Sequence, residues 1–300
     1  MGKATRIRRE SAREKIAAQR AAARRAQIRN RTFITVGSIL GVVVIVVAFL
    51  VVKSLHGSGG SKSSSSATGT ALPASVIRDM TTVPASTLNS VGTGTAYPKS
   101  VSPVNAPPLT SGGKPEILYV GAEYCPYCAA ERWAMVVALS RFGTFSGLHG
   151  IHSAGSPEVF PNTPTVTFYK SGYTSKYLTF TTVEEQTVSH ATLQTPTSAQ
   201  QALVTKYDNP PYTSASGANA IPFIAFGGKY LVHGAQYNPQ LLAGKTWAQV
   251  AAALKDPSSP IAKSVNGAAN MITGAICKMT SNQPSGVCTS PAVHAAAGQL

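Results

Sequence analysis

Acidic residues are scarce in this chain: 11 Asp and Glu face 26 Lys and Arg over 300 residues, leaving a net charge of +15. Cysteine is scarce too, with four residues, and Cys277 and Cys288 are spaced too widely to supply the second close pair that a zinc knuckle needs. No phosphate-cradling glycine loop follows an apolar run, and no nucleophile-elbow pattern surrounds a serine. No segment repeats, so the sequence gives no sign of a solenoid. The six histidines are scattered; His149 and His152 do not share a strand face and are discounted as ligands.

The positive charge is concentrated at one end. Residues 1–32 hold 11 of the 26 basic residues against Glu10 and Glu14. Phe33 to Val52 follows, twenty residues without a charge. As a helix it would span about 30 Å, the thickness of a bilayer core. It is longer than the apolar part of a cleavable signal, so an uncleaved anchor is expected. Lys and Arg are retained on the cytoplasmic side, which places the N-terminus inside and the bulk of the chain outside. Topology alone accounts for the basic tail, and no nucleic-acid partner is inferred from it. A role for the tail in holding an acidic cytoplasmic partner is the competing reading.

Residues 53–111 are rich in Ser, Gly, Thr and Pro and read as a linker, more than about 100 Å long if extended. Within it, residues 74–89 carry enough apolar side chains to pack as a short helix. A folded domain is expected over 112–290, with a C-terminal tail over 291–300.

The most informative stretch opens that domain. The apolar run Ile117 to Gly121 reads as a strand covered on both faces. It leads into Glu123-Tyr124-Cys125-Pro126-Tyr127-Cys128, and an amphipathic helix is expected from Ala129 to Arg141. A thiolate at Cys125 would sit at a helix N-terminus, where unpaired N–H groups and the helix dipole favour an anion. Cys128, one turn on, could attack a mixed disulfide formed at Cys125 and release the partner. Pro126 suits the first turn, since its missing N–H would have no intrahelical partner. Half a zinc site and an inert disulfide are the bland alternatives.

Further on, Leu148 to Ser153 reads as a strand, and Thr165 to Tyr169 with Tyr177 to Thr181 as a hairpin. A helix is expected over Thr197 to Tyr207. Ile221-Pro222-Phe223-Ile224-Ala225-Phe226, Gly227-Gly228 and Lys229 to His233 read as a tight hairpin. A single helix is then expected from Asn238-Pro239 to Leu254, and another over Ile261 to Met279.

This order is similar to the thioredoxin fold, an α/β architecture with a central mixed sheet flanked by helices. Ala122-Glu123-Tyr124-Cys125 resembles thioredoxins, and the Pro-Tyr dipeptide between the cysteines resembles glutaredoxins. Residues 115–290 as a whole resemble a membrane-anchored thioredoxin-like family of unassigned function, the domain of unknown function 929 family. The resemblance implies that Pro222 is a cis proline facing the dithiol, with the Ile221 backbone free to pair with a substrate. Thr163-Pro164-Thr165 is its rival for that place. An insertion over 154–195 and a C-terminal helical extension distinguish the chain from plain thioredoxins. Where thioredoxins carry a buried carboxylate, six residues before the first cysteine, this chain has Tyr119. Glu123 and Glu131 are the nearest substitutes in sequence, and a solvated charge is the plain reading of each.

The resulting expectation is a tethered extracytoplasmic thiol–disulfide oxidoreductase. Cys125, Cys128 and Pro222 would do the chemistry, and Tyr124, Pro126, Tyr127 and Ile221 would contact substrate. Its partners would be exported proteins bearing thiols or disulfides and a redox partner in the membrane, with no cofactor and no metal. An oxidising compartment favours oxidation or isomerisation, although the motif does not state a potential. Cys277 and Cys288 are expected to form a structural disulfide, with a second redox pair as the sharper reading. The competing function is a non-catalytic binding module or copper chaperone, for which His233 is the attractive extra ligand.

Overall fold

A computed structural model describes residues 69–300. The expected basic tail over 1–32, the expected span over 33–52 and the first part of the linker lie outside the described residues. Among the described residues no helix is long and apolar enough to cross a membrane.

The strands in chain order are β1 (Thr70–Ala71), β2 (Ser102–Pro103), β3 (Thr110–Ser111), β4 (Lys114–Gly121), β5 (Gly143–Ser146), β6 (His149–His152), β7 (Pro164–Thr167), β8 (Gly172–Ser175), β9 (Thr179–Glu184), β10 (Phe223–Phe226) and β11 (Tyr230–His233). The α-helices are α1 (Ala74–Thr81), α2 (Ala85–Val91), α3 (Pro126–Leu139), α4 (Ser198–Tyr207), α5 (Trp247–Ala253), α6 (Pro260–Met279), α7 (Ser285–Cys288) and α8 (Pro291–Ala297). The architecture is mixed α/β, built on a mixed sheet.

That sheet runs β2-β11-β10-β4-β3, and β9 also pairs with β4. β4 is its axis, antiparallel to β10 and parallel to β9. Its alternation divides the core. Ile117 and Tyr119 face the larger core with Trp133, Met135 and Ile272. Leu118 and Val120 face a smaller one with Val183, Tyr207, Phe223 and Leu231. Both faces of β4 are covered, as its near-continuous apolar run predicts. β10 and β11 meet through Gly227 and Gly228 at φ of 58° and 78°, the left-handed pair that a tight hairpin requires.

Three expectations need correction. The helix α3 is not amphipathic: of its 14 residues all but Tyr127 are buried, because it lies against α6 on one side and β7 on another. The expected hairpin between 165–169 and 177–181 does not form. β7 pairs with β6 in a separate three-stranded sheet, and β9 runs parallel to β4. Alternation marks a strand without naming its neighbour. The expected helix 238–254 is broken into a 3-10 turn at Pro239–Leu242 and α5, with Gly244 between them at φ 68°. Thr246 and Gln249 restart the helix by a reciprocal capping box.

The linker and tail boundaries shift as well. Val76 and Met80 of α1 and Leu88 of α2 are buried in the main core, so folded structure begins well before residue 112. Asn270, on α6, holds α2 in place by donating to the Leu88 and Gly92 carbonyls at 2.9 and 2.7 Å. At the other end Val293 and Ala296 of α8 pack into the same core, carrying the fold past residue 290.

Candidate functional site

β4 ends at Gly121, and four residues later the chain turns into α3 with Cys125 as its N-cap. The Cys125 sulfur takes the place of the oxygen that a Ser or Asp cap would offer, accepting the Cys128 N–H at 3.3 Å. On its other side the thiol donates to the Ile221 carbonyl at 3.6 Å. Pro126 fills the first helical position. The helix start thus places the sulfur among N–H groups whose partial charge favours an anion.

The two thiols are pushed apart in acidity. A hydrogen bond from Cys128, with the backbone N–H groups of Cys128 and Tyr127 and the Arg132 guanidinium, holds the Cys125 thiol below its ordinary range although burial opposes this. Burial, reinforced by Cys125 beside it, pushes Cys128 well above its ordinary range. Neither cysteine is in a disulfide. The pair is less exposed than a surface dithiol would be: Cys125 is 5% accessible and Cys128 is 0% accessible. The little access that exists therefore leads to Cys125 alone.

The other predicted residues lie around it. Ile221–Pro222 is one of four cis X–Pro bonds among the described residues, and Thr163–Pro164 is not among them. Pro222 leads into β10, while Pro164 lies on β7, its carbonyl accepting the Trp133 indole N–H at 2.8 Å. Tyr124 stacks against His190 with ring centroids 4.1 Å apart. Tyr127 is 41% exposed, its ring meeting Phe160 edge-on.

Glu123 and Glu131 are not solvated charges. Glu123 is buried and accepts the Thr167 hydroxyl at 2.7 Å, and burial raises its carboxyl above the ordinary range. Glu131 is fully buried on α3 and accepts the Gln236 N–H at 3.0 Å. Burial pushes its carboxyl up to about 8.

Two functional candidates escaped the sequence pattern. Arg132 and Glu184 form a fully buried ion pair, with Nε to Oε1 at 2.9 Å and Nη2 to Oε2 at 2.6 Å. Nη2 also donates to the Ala122 carbonyl at 2.8 Å. The guanidinium carbon lies 5.8 Å from the ring centre of Tyr119. A charged residue at Arg132, four positions after Cys128 and next to Glu131 in a helix of otherwise mostly apolar residues, was a usable signal. Glu184 had none, since it arrives through the parallel register that sets it beside Gly121.

Cys277 and Cys288 are joined, with an S–S distance of 1.97 Å. They lie at the far end of α3, which is about 21 Å long for its 14 residues. There Arg141 donates to Thr273 and Ser290, both at 3.3 Å. At that same end, the position of a Cβ on Gly227 is 3.3 Å from Met279. Direct exchange of electrons with Cys125 is out of reach. His233, on β11 opposite Phe223, donates from Nε2 to the Tyr207 carbonyl at 3.0 Å. Among the described residues no three His, Cys, Asp or Glu side chains converge as a metal site would need.

The profile of the family described as Domain of unknown function (DUF929) matches residues 100–278. That is more than half of the chain, and the chain belongs to this family. No curated protein and no solved structure matches it.

Proposed function

We propose that this family member is a membrane-tethered, extracytoplasmic thiol–disulfide oxidoreductase of thioredoxin-like fold. The observation that carries the proposal is the Cys125 sulfur at the N-cap of α3, held below its ordinary acidity range beside a Cys128 thiol held above it. Such a split divides the labour. The more acidic, more accessible sulfur meets an incoming disulfide, and the enclosed one resolves the mixed disulfide.

The connectivity supports the fold reading. β4 is followed by α3, then by β9 parallel to β4, α4, the antiparallel hairpin β10–β11 and α6. The dithiol follows the end of β4, and Pro222 stands at the start of the hairpin beside it. In this reading Tyr124, Pro126, Tyr127 and Ile221 border the approach of an exported polypeptide. The charge-free run over 33–52 and the basic tail before it support a single span with the N-terminus in the cytoplasm. A redox partner in the membrane would restore the dithiol or disulfide, and the direction of transfer follows from the reduction potential.

The test is exchange with a model disulfide. Full-length wild-type protein should turn it over, and Cys125→Ser should not. Retention of full activity by Cys125→Ser sinks the proposal.

A further inference from the structure

Behind the dithiol, on the side away from any substrate, the Tyr119 hydroxyl and the Cys128 sulfur converge on Gly121. A Cβ placed on that glycine would lie 2.4 Å from the hydroxyl oxygen and 3.0 Å from the sulfur. Only a glycine leaves room for both. The hydroxyl is buried without a hydrogen-bond partner, and so is Nη1 of Arg132, whose other two nitrogens are committed to Glu184 and the Ala122 carbonyl. Buried donors without acceptors are rare in native proteins and call for an explanation. A negative charge arriving on Cys128 would supply one.

We propose that Tyr119 and Arg132, the latter held in place by Glu184, are positioning residues that stabilise a thiolate on Cys128 while it resolves a mixed disulfide. The inference rests on the redox reading above and adds what makes its second step feasible. Full burial penalises charge on Cys128, since the group has lost its hydration. A hydroxyl donor and the unpartnered Nη1 of Arg132 oppose that penalty where water cannot, although the Glu184 carboxylate paired with the guanidinium offsets part of its effect. Burial raises Tyr119 well above its ordinary range, so it stays a donor at any working pH. The groups that act on Cys128 are Cys125 and Arg132 from its own helix, Tyr119 from β4, Glu184 from β9 and Tyr124 from the preceding loop.

The step balances without another reactant. Cys128 gives up its proton, and its sulfur attacks the Cys125 sulfur of the mixed disulfide. The Cys125–Cys128 bond forms as the bond to the partner's sulfur breaks. The departing thiolate takes up one proton, so the partner is reduced by the two electrons that the dithiol loses.

The test uses full-length protein carrying a coloured aryl thiol in mixed disulfide with Cys125, and follows release of that thiol as a function of pH. Tyr119→Phe keeps the ring and removes the donor. Release should be about tenfold slower at neutral pH, with the profile moved up by roughly one pH unit. The double variant Arg132→Met with Glu184→Leu removes the pair without stranding a charge and should move the profile the same way. Should that variant not fold, Tyr119→Phe decides alone. Release from Tyr119→Phe with the wild-type profile overturns this inference and leaves the redox reading standing. No release from the wild-type mixed disulfide overturns both.

Discussion

The Cys125 sulfur lies 3.6 Å from the carbonyl oxygen of Ile221, a contact between residues 96 positions apart in sequence. A thiol can donate to that carbonyl, and a thiolate cannot. Loss of the proton leaves the sulfur with the Cys128 N–H and frees the Ile221 oxygen to accept from an extended substrate. In the proposed reaction, activation of the nucleophile and exposure of the backbone acceptor would be the same event.

If Cys125 makes the first contact and Cys128 the second, removing the second should stall the reaction halfway. Cys128→Ser is expected to accumulate a covalent adduct with a disulfide-bearing polypeptide, seen as a reducible band on non-reducing gels. Cys125→Ser should give none. An adduct through Cys128 in the Cys125→Ser variant would reverse the assigned roles.

Glu131 makes stability depend on pH. Its carboxyl stands at about 8 in the folded chain because of burial, against an ordinary 4.5. The folded state therefore binds the proton more tightly than the unfolded one. The stability this represents is present below the ordinary value and lost as pH rises through the folded value. Between about 5 and 8 the loss should approach 1.4 kcal/mol per pH unit. Glu131→Gln keeps the shape and removes the titration, so its urea-unfolding free energy should be flatter over that window. Parallel curves for wild type and variant would contradict the assignment.

Met80 lies in the stretch whose composition suggests a tether, yet it is fully buried. Met80→Ala should destabilise the protein by about 2–5 kcal/mol, as core truncations do. Urea unfolding unchanged by this substitution would mean that α1 does not belong to the core.

The Cys277–Cys288 bond closes a short loop, with a sequence separation of 11. Replacing both residues by Ser should lower stability by about 3 kcal/mol, from the loop entropy released in the unfolded chain. The rate of exchange at Cys125 should not change, because the two sites lie at opposite ends of α3. A change in that rate without loss of fold would argue for communication between them.

How far the site was legible depended on whether its parts are local. The Cys125–Cys128 spacing, the Pro at the helix start and the Gly227-Gly228 turn are short-range devices, and each is visible in a few residues. Helices α4 and α6 follow from their caps and apolar pattern. Strand partners do not: Thr179 to Glu184 looked like half a hairpin, and only the register with β4 reveals it as a neighbour of the strand that leads to the dithiol. Through that register Glu184 reaches Arg132, so the ion pair behind the dithiol stayed hidden with it. The break at Gly244 was masked by apolar residues that continue at helical spacing on both sides. The domain boundary was set too late, at residue 112, because Ser and Thr dominate the composition before it, yet the apolar residues of 74–89, Val76, Met80 and Leu88 among them, did mark the stretch that packs.

The most direct test of the account is the pH dependence of alkylation at each thiol in the reduced full-length protein, read residue by residue by mass spectrometry. The account predicts that Cys125 reacts first, with a midpoint below the ordinary thiol value of 9.0, and that Cys128 stays almost unmodified until far higher pH. Equal reactivity of the two with an ordinary midpoint, or Cys128 reacting ahead of Cys125, would contradict it.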